Sequence, residues 1–340
     1  MISMKELSEA CGVSVATVSK ALNNKDDVSE GTKRFIKEKA KELGYMPNMT
    51  ARALKTNRTY NIGVLFVDGA MSGLTHNYFA HVLDALKQTA EERGYDITFL
   101  HKGGKGNKNK NRNMTYLEHC MYRGFDGVII ACVNFEDPEV IELVQSRLPV
   151  VTIDHLFNNR IAIVSNNVLG MKDLVTYIYE KGHRRIAYIH GKESSVTKSR
   201  VSSFYITANE LGIEVPDEYV REAAYRDTVE AGRQTEILLD LDNPPTCIIY
   251  PDDFSCFGGI NAIKARGLRI PEDISVAGYD GITIAQHIEP ALTTLHQDTK
   301  KLGSLAAERL ISLIETPKLT PIEIIVVDGE LYEGNTVASI

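Results

Sequence analysis

A stretch near the N-terminus, Val13–Leu22, places small polar side chains and one cation on a single face of a predicted helix. The residues of this face are Val15, Ala16, Thr17, Ser19 and Lys20. Short side chains let a helix approach base edges in the DNA major groove, where a lysine can donate to guanine and an apolar group can touch a thymine methyl. The types and spacing therefore favour hydrogen bonding to bases, with an ordinary helical hairpin as the alternative.

Two helices around a tight turn are predicted to hold this face outward. Apolar residues recur three and four positions apart on the sides that face each other. They are Leu7, Ala10, Cys11, Val18, Ala21 and Leu22. Gly12 lies at the turn, where a positive φ angle suits glycine, and Ser14 can cap the second helix by accepting a backbone N–H. The segment predicts a helix–turn–helix.

A third helix and a short fourth segment follow. Ser29 is the predicted cap of a helix that runs to Leu43 and ends at Gly44. Its inward side chains are predicted to be Phe35, Ile36, Ala40 and Leu43. Residues 48–56 are predicted to be a short helical stretch with too little apolar surface to fold alone.

Taken together, these motifs resemble the LacI/GalR family of transcriptional regulators. The matching pieces are Val13-Ser14…Thr17-Val18-Ser19, Val28-Ser29…Thr32, Leu43-Gly44-Tyr45…Pro47-Asn48 and Ala51-Arg52…Leu54. Their order and spacing are specific in combination, and the resemblance extends over the whole chain. It implies a sequence-specific DNA-binding repressor, expected to act on carbohydrate-utilisation genes and to be controlled by a small polar effector, a sugar.

The charge distribution fits a DNA-binding arm on a body that has no need to touch phosphates. Residues 1–60 contain 11 Lys and Arg against 7 Asp and Glu, whereas the remaining residues contain 27 against 38. The five cysteines include no CxxC pair and are expected to be reduced thiols in a cytoplasmic protein. The sequence has no leader-like segment, no run of 18 apolar residues and no catalytic or metal-ligand motif. We therefore expect no enzyme, no membrane protein and no cofactor.

From residue 60 onward, short apolar strands alternate with helices in two similar series. Continuous apolar strands separated by helices indicate parallel sheets covered on both faces. The predicted fold is a small all-α helix–turn–helix headpiece joined to an α/β, two-lobed, periplasmic-binding-protein-like body with doubly wound parallel sheets. The predicted segments are 1–47 for the headpiece, 48–59 for the hinge helix and linker, and 60–340 for the body. The first lobe is placed at about 60–163 and 292–326, and the second at about 164–291 and 327–340.

The resemblance divides the DNA contacts into two groups. Phosphate contacts, which set register without reading sequence, are implied for Ser14, Thr17, Ser19, Asn23, Ser29, Thr32, Tyr45 and Asn48. Base contacts are implied for Val15, Ala16 and Lys20, with a phosphate contact as the alternative for Lys20.

The hinge segment is expected to act in the minor groove. Leu54 lies between Arg52 and Lys55, and we expect it to wedge into a base step while the two cations hold the backbone. Two such segments side by side imply a homodimer on a near-palindromic operator. Docking of Leu54 on the body is the alternative.

For the effector, the resemblance implies residues at the carboxyl ends of strands and the starts of helices, where ligands of open α/β sheets bind. These are Asp154, Arg200, Asp252 and Asp280, with Asp227 replacing an aromatic residue that the family often has there. His76 and Phe79 are expected at the lip of the cleft between the lobes, with core packing as the alternative for Phe79. Carboxylates and one arginine suit a hydroxyl-rich ligand. Helix capping is the alternative for one of Asp252 and Asp253.

Other interpretations stay open from the sequence. A solute-binding or sensor protein without operator function would share the body but not need the headpiece motifs. A nucleobase or a sugar phosphate could occupy the same cleft, although Asp227 in place of an aromatic residue argues against a stacked purine. The basic segment Lys102–Arg112 is expected to be a solvated loop or, for a phosphorylated effector, an anion contact. The same residues would serve whether the effector releases the protein from DNA or promotes its binding to DNA.

Overall fold

The computed structural model describes residues 2–46, 53, 58–67, 73–101 and 114–340. Contacts between Cα atoms divide the chain into two units, Met1–Tyr60 and Asn61–Ile340, which we call the headpiece and the body. Several predicted sites lie outside the described residues: Asn48, Arg52, Leu54, Lys55 and the basic segment Lys102–Arg112.

The described part of the headpiece is a three-helix domain. Its helices are α1 (Met4–Cys11), α2 (Val15–Leu22) and α3 (Glu30–Glu42). Each helix begins after a serine whose side chain accepts a backbone N–H: Ser3, Ser14 and Ser29. Gly12 ends α1 with a φ angle of 66°, in the left-handed region that favours glycine. The predicted helix–turn–helix is thus confirmed.

One predicted core position of α3 is wrong. Phe35 is 48% exposed, whereas Lys33, Ile36 and Ala40 are buried. Adjacent helix positions differ by about 100° of rotation, so Phe35 falls beside the buried stripe. The aliphatic stem of Lys33 takes the inward position one turn before Ile36, while its ammonium reaches Glu30 at 2.6 Å.

The body alternates strands and helices along the chain. In order its elements are β1 (Asn61–Phe66), α4 (Asn77–Glu92), β2 (Asp96–Phe99), α5 (Tyr116–Arg123), β3 (Gly127–Ala131), α6 (Pro138–Gln145), β4 (Val150–Ile153), β5 (Ile161–Ser165), α7 (Asn167–Glu180), β6 (Ile186–His190), α8 (Ser195–Glu210), β7 (Val220–Glu222), α9 (Thr228–Leu239), β8 (Cys247–Ile249), α10 (Asp253–Ala265), β9 (Ser275–Asp280), β10 (Thr293–His296), α11 (Thr299–Glu315), β11 (Ile324–Val327) and β12 (Glu330–Tyr332).

Two six-stranded sheets define the two lobes. The first sheet has the order β11-β5-β4-β3-β1-β2 and is parallel throughout. The second has the order β12-β10-β9-β8-β6-β7 and is parallel except for β12, which runs antiparallel to β10. The predicted fold class is therefore confirmed.

Helices cover both faces of the second sheet. Alternate residues of β6 point to opposite sides, because side chains alternate along a strand. Ala187 and Ile189 join a buried cluster with residues of α9 and α10, whereas Ile186 and Tyr188 join another with residues of α7 and α8. This double burial explains why the strands are continuous apolar runs.

The structure adds three strands, β5, β10 and β12, that were not among those predicted from the apolar runs in the sequence. Strand β10 pairs with β9 in the second sheet, although residues 292–326 were assigned to the first lobe. Helix α8 begins at Ser195, so Arg200 lies inside the helix. This start follows from Ser194, whose hydroxyl accepts the N–H of Thr197 at 3.1 Å.

The chain crosses between the lobes three times. Crossing 1 is Asn166, between β5 and α7; crossing 2 is Gln297-Asp298, between β10 and α11; crossing 3 is Asp328-Gly329, between β11 and β12. The carboxyl ends of β4 and β9, where Asp154 and Asp280 lie, flank these crossings in the two sheets. None of the helices described here is long and apolar enough to cross a membrane.

Candidate functional site

The outer face of α2 exposes the side chains that the sequence assigned to base edges. Val15 is 43% exposed, and Ala16 and Lys20 are exposed, while Val18 and Ala21 on the opposite side are fully buried. An exposed valine at the start of a helix contributes nothing to the headpiece core. It is consistent with an apolar contact to a partner surface.

Short-range hydrogen bonds hold the polar residues around this face. The Ser14 Oγ lies 2.9 Å from the Thr17 Oγ1 and accepts the Thr17 N–H at 3.1 Å. The Ser29 and Thr32 pair repeats this arrangement at 2.8 and 3.3 Å. The Asn23 amide donates to the Ser19 carbonyl at 2.7 Å. These residues therefore fix the ends of α2 and α3.

Two further headpiece residues have partners within the domain. Lys20 forms an exposed ion pair with Asp27, and the hydrogen bond from Lys20 lowers the pKa of the Asp27 carboxyl. Tyr45 is half-buried against the headpiece core. Contact of Lys20 with a guanine would require it to leave Asp27.

In the body, Asp154 follows β4 in a left-handed conformation, with a φ angle of 57°. Its Oδ1 accepts the Ser165 N–H at 2.8 Å and its Oδ2 accepts the Tyr78 hydroxyl at 3.2 Å. Its carbonyl accepts the Ser195 hydroxyl at 3.1 Å. Because Ser195 begins α8 of the second lobe, Asp154 lies where the two lobes meet.

Arg200 is buried in the second turn of α8, with 3% of its surface exposed. Its Nε donates to the Asn167 Oδ1 at 2.7 Å and its Nη1 donates to the Pro251 carbonyl at 2.9 Å. The guanidinium carbon lies 3.5 Å from the centre of the Tyr279 ring. These contacts fix the plane of the guanidinium group.

Asp280 ends β9 with a φ angle of 110°. Its Oδ1 accepts a hydrogen bond from the Gln297 Nε2 at 2.7 Å. Burial, aided by the charges of Asp252 and Asp154, raises the pKa of Asp280 to about 7, against the lowering effects of Arg200 and Gln297. Burial also raises the pKa of Asp154, although the Ser165 N–H and the charge of Arg200 act in the opposite direction.

These charge effects show that the structure brings Asp154, Arg200, Asp252 and Asp280 into one cluster. Asp252 differs from the other three residues in that its carboxylate accepts three hydrogen bonds at the start of a helix. It is 2% exposed and accepts hydrogen bonds from the Ser255 N–H at 2.9 Å, the Ser255 hydroxyl at 2.8 Å and the Arg226 N–H at 2.7 Å. The capping alternative is therefore the one observed, because Asp252 caps α10.

Asp253 and Asp227 also have structural partners. Asp253 is fully buried and accepts from the Thr294 hydroxyl at 2.6 Å and the Ile282 N–H at 2.8 Å. Asp227 caps α9 by accepting the Glu230 N–H at 2.9 Å. A contact of Asp227 with the effector stays a prediction; the structure shows its side chain in the role of a helix cap.

The predicted lip residues belong to an aromatic group in the first lobe. The ring of Phe79 packs edge-on against those of Phe66, His76 and Tyr78, with centroids 5.3, 5.0 and 4.9 Å away. Of these residues, Tyr78 is the one that hydrogen-bonds Asp154. His76 and Phe79 thus support Tyr78, and Phe79 also has the packing role that the sequence left open.

The sequence missed three residues of the cluster. Tyr225 follows β7, its hydroxyl lies 2.9 Å from the Thr197 Oγ1, and its ring lies so close to Gly191 that a Cβ there would be 2.1 Å away. Asn167 and Gln297 bind Arg200 and Asp280 from the lobe crossings. The position of Tyr225 directly after a parallel strand is a signal that could have identified it.

In the described parts of the chain, no three His, Cys, Asp or Glu side chains are grouped as a metal site would require. The donors of the cluster instead form hydrogen bonds with one another and with backbone groups. The arrangement is suited to binding a polar molecule through hydrogen bonds.

Comparison with protein-family models gives two matches. Residues 3–48 match the model described as bacterial regulatory proteins, lacI family, and residues 175–337 match a periplasmic binding protein-like domain. The chain is 33% identical over 323 residues to the probable HTH-type transcriptional repressor ExuR of Bacillus subtilis (strain 168), covering 94% of this chain and 93% of that protein. The chain belongs to the lacI family of bacterial regulatory proteins.

Other LacI-family proteins match over almost the full length. The HTH-type transcriptional repressor PurR of Escherichia coli O139:H28 is 29% identical over 344 residues, covering 99% of this chain and 97% of that protein. The fold is also similar to that of the lac repressor dimer bound to operator and the anti-inducer ONPF, with a TM-score of 0.80 at 24% identity and 99% of each chain covered. This LacI-family chain is therefore a DNA-binding transcriptional regulator with a small-molecule-binding type of body, and its relatives are regulators rather than enzymes.

Proposed function

We propose that this chain is a homodimeric repressor of carbohydrate-utilisation genes whose operator affinity is controlled by a neutral sugar bound between the lobes. The observation that carries the proposal is the contact between the lobes at Asp154, whose carbonyl accepts the Ser195 hydroxyl of α8 at 3.1 Å. Arg200 and Asp280 of the second lobe lie close enough to Asp154 for their charges to act on one another. A ligand that bonds to both sides of this cluster would favour one angle between the lobes over another.

The composition of the cluster favours a neutral, hydroxyl-rich effector. The carboxylates of Asp154 and Asp280 offer acceptors to hydroxyl groups, and the guanidinium of Arg200 offers donors. An anionic effector would meet these carboxyls, and Arg200, the buried cation of this cluster, already donates to Asn167 and Pro251. A sugar hydroxyl can both donate and accept, so it suits a carboxyl such as Asp280 whose pKa is about 7.

A planar nucleobase is the second candidate, and Tyr225 is the observation that favours it. One edge of this ring packs on Gly191, and its hydroxyl is held by Thr197. Burial raises the pKa of the Tyr225 hydroxyl; the charge of Arg200 lowers it and the charge of Asp280 raises it. The Tyr225 side chain therefore lies close to the cluster. An aromatic ring at this place could stack on a base.

The operator side of the proposal rests on α2. Val15, Ala16 and Lys20 would face bases, and the Ser14 and Ser29 caps would lie near phosphates. Leu54, Arg52, Lys55 and Asn48 complete the proposed contacts, with Leu54 as the minor-groove wedge of each subunit. The lac repressor dimer bound to operator supports a paired arrangement in a protein of the same fold.

Control by the effector requires that it bind the two lobe arrangements with different affinity. Coupling of about 1–3 kcal/mol, or roughly 5- to 150-fold in operator affinity, is typical of allosteric proteins. The same factor must appear in the effect of operator on sugar affinity, because the coupling is reciprocal.

The test uses the full chain in two steps. A DNA fragment is selected from random sequence, and its Kd is then measured by fluorescence anisotropy with and without neutral monosaccharides, disaccharides, sugar acids, sugar phosphates and nucleobases. We expect a neutral sugar to change the operator Kd by 5-fold or more. A nucleobase response would favour the second candidate, and failure to enrich any DNA sequence would overturn the operator half of the proposal.

A matched pair of variants tests the site. Asp154→Asn should weaken binding of the responsive sugar at least 10-fold, because a charged acceptor becomes a neutral amide. Asp242→Asn makes the same change at an exposed residue and should leave sugar binding unchanged. Equal sugar affinity in the two variants would overturn the assignment of Asp154 to the effector site.

A further inference from the structure

Crossings 1 and 3 are hydrogen-bonded to each other, and crossings 2 and 3 are flanked by the paired strands β10 and β12. The Asn166 N–H donates to the Val327 carbonyl at 2.8 Å, and the Asn166 Nδ2 donates to the Asp328 Oδ1 at 2.7 Å. Crossing 3 also packs on the end of β10, because a Cβ on Gly329 would lie 2.7 Å from the His296 carbonyl oxygen. A change in the lobe angle must therefore act on all three crossings together.

Each of the three proposed effector residues is bonded to a residue at or next to a crossing. Asp154 accepts the Ser165 N–H at 2.8 Å, next to crossing 1. Arg200 donates to the Asn167 Oδ1 at 2.7 Å, on the other side of crossing 1. Asp280 accepts from the Gln297 Nε2 at 2.7 Å, within crossing 2. Each effector residue is thus hydrogen-bonded to a residue at or next to a crossing.

Two of these connections are made by amide side chains, which hold fixed orientations. Asn167 is 7% exposed, and its Nδ2 donates to the Ser165 carbonyl at 3.1 Å while its Oδ1 accepts from Arg200. Gln297 is 4% exposed, and its backbone N–H donates to the Asp280 carbonyl at 3.2 Å, parallel to the side-chain bond. Neither amide can turn without breaking a bond to the cluster or to the chain beside it.

The side-chain oxygen of Gln297 is available to accept a hydrogen bond from a ligand. The Gln297 Oε1 is buried and has no hydrogen-bond partner within the described residues. Buried polar atoms are normally paired, and this oxygen belongs to the amide whose nitrogen donates to Asp280. A hydroxyl group bound at Asp280 would lie within reach of it.

We infer that Asn167 and Gln297 are positioning residues that transmit effector binding to the lobe crossings and so set how strongly the effector changes operator affinity. The inference rests on the proposed function. A ligand hydroxyl that bonds to Arg200 or Asp280 competes with or reorients a charge-assisted bond to one of these amides. Asn167 lies next to crossing 1 and Gln297 belongs to crossing 2, so the change in hydrogen bonding occurs where the angle between the lobes is set. Binding of the effector and binding of the operator can then both shift that angle.

A purely structural role for these amides would have a different signature. Removing a structural bond lowers the free energy of unfolding but leaves the ratio of operator Kd values, with and without effector, unchanged. Removing a transmitting bond lowers that ratio while each ligand still binds. The ratio is therefore the quantity to measure.

The experiment compares Asn167→Ala and Gln297→Ala with two matched controls in the full chain. Asn209→Ala removes an exposed amide on α8, and Gln88→Ala removes an exposed amide that also donates to an aspartate, Asp84, at 2.8 Å. The probes are the selected DNA fragment and the sugar that gives the largest response with the wild-type chain. We expect the Kd ratio to fall at least 5-fold in the two crossing variants and to stay at the wild-type value in the controls.

A conservative variant separates transmission from damage to the fold. Asn167→Asp keeps an oxygen for Arg200, loses the donor to the Ser165 carbonyl and adds a negative charge beside the guanidinium. Because the bond to Arg200 is retained, it should recover more than half of the lost Kd ratio, on a logarithmic scale. Wild-type ratios in both alanine variants, or an Asn167→Asp variant no better than Asn167→Ala, would overturn the inference. A wild-type chain that responds to no probe compound would instead overturn the proposed function itself.

A measurement without effector tests whether the crossings act together. In Asn167→Ala, amide hydrogen exchange should become faster in peptides covering 293–300 and 324–330 as well as 161–169. Crossing 1 is hydrogen-bonded to crossing 3, and β12, which follows crossing 3, pairs with β10, which precedes crossing 2. A change confined to 161–169 would contradict this coupling even if the variant folds normally.

Discussion

The headpiece and the body hold their candidate binding groups in opposite ways. In the headpiece, the bonds of the predicted DNA contacts join residues three to seven positions apart, as in Ser14 to Thr17 and Lys20 to Asp27, and they are exposed. In the body, the bonds of Asp154, Arg200 and Asp280 join residues 11 to 76 positions apart, and the groups are largely buried. The two surfaces therefore respond differently to the loss of a single group.

The difference follows from desolvation. An exposed, locally bonded group can exchange its partner for water or for DNA at small cost. A buried group in a charged cluster leaves its partners unpaired when it is removed, and that costs several times more. Substitutions in the headpiece should therefore report on DNA binding, whereas truncations in the cluster should report first on folding.

The largest effect is expected for Arg200→Ala. The variant would leave the Asn167 Oδ1 and the Pro251 carbonyl without their donor and the nearby carboxyls without a cation, which typically costs about 3–5 kcal/mol of the free energy of unfolding. Denaturant unfolding followed by circular dichroism measures this change. Arg233→Ala, which breaks an exposed pair with Glu230, is the control and should change little. Similar losses of unfolding free energy in the two variants would mean that the buried bonds of Arg200 contribute no more than an exposed ion pair.

The next effect is the pH dependence that Asp280 gives to stability. With a pKa of about 7 in the folded chain and an ordinary value of 3.8 when unfolded, Asp280 keeps a proton in the fold that the unfolded chain releases. The free energy of unfolding should therefore fall as pH rises through this window, and the fall should be complete above pH 7.

Asp280→Asn removes this titration and keeps an oxygen for Gln297. Asparagine also tolerates the positive φ angle at this position better than most residues. Between pH 5 and pH 8, the wild-type chain should lose stability relative to the variant, on the order of 2 kcal/mol. Parallel stability profiles for the two proteins would show that Asp280 is solvated like the headpiece carboxylates.

The same contrast explains how far the sequence could predict the molecule. The headpiece followed from local patterns, because Ser14 and Ser29 cap the helices that begin directly after them. Phe35 was wrongly predicted to face the core because the inward position of that turn is taken by Lys33, whose aliphatic stem is buried. The apolar strands of the body were equally visible as continuous runs.

Strand β10 shows why other parts could not be predicted. Its residues include Thr293 and Thr294, whose hydroxyls interrupt the apolar pattern that marks the other strands, yet both residues are fully buried. The Thr293 N–H donates to the Thr336 Oγ1 and the Thr294 hydroxyl donates to Asp253, across 43 and 41 positions. A polar group such as the Thr294 hydroxyl can be buried in a strand when a distant partner satisfies it, and no local pattern shows that partner.

The residues of the effector site also fall into those that could be predicted from the sequence and those that could not. Asp154, Arg200 and Asp280 could be named from motifs at strand ends and helix starts, and the structure brings them together. Gln297 could not, because its relevance depends on Asp280, 17 positions away. Tyr225 could have been found only from its position after β7, since its contacts with Gly191 and Thr197 are not visible in the sequence. Asp227 was named from its position in the family pattern, but its side chain caps α9.

Lys20 gives the third prediction, on operator affinity. Lys20→Ala should weaken binding to the selected fragment about 10-fold if the side chain donates to a base, as measured by anisotropy. Asp27→Asn should tighten binding slightly, because the ammonium no longer has a competing carboxylate. Equal loss on selected and random DNA, with a smaller salt dependence, would assign Lys20 to a phosphate instead.

The smallest effect concerns the two matching caps, Ser14 and Ser29, and it sharpens the comparison most directly. Both hydroxyls accept the N–H of a threonine three residues later and contact its hydroxyl at nearly the same distance. Ser14→Ala and Ser29→Ala should therefore each cost about 1 kcal/mol of headpiece stability, measured by hydrogen exchange of α2 and α3. Since α2 carries the predicted base contacts, any extra loss of operator affinity in Ser14→Ala over Ser29→Ala, at equal cost to stability, measures what Ser14 does beyond capping. If operator affinity simply follows helix stability in both variants, neither hydroxyl touches phosphate, and these two serines would stabilise the headpiece without contacting DNA.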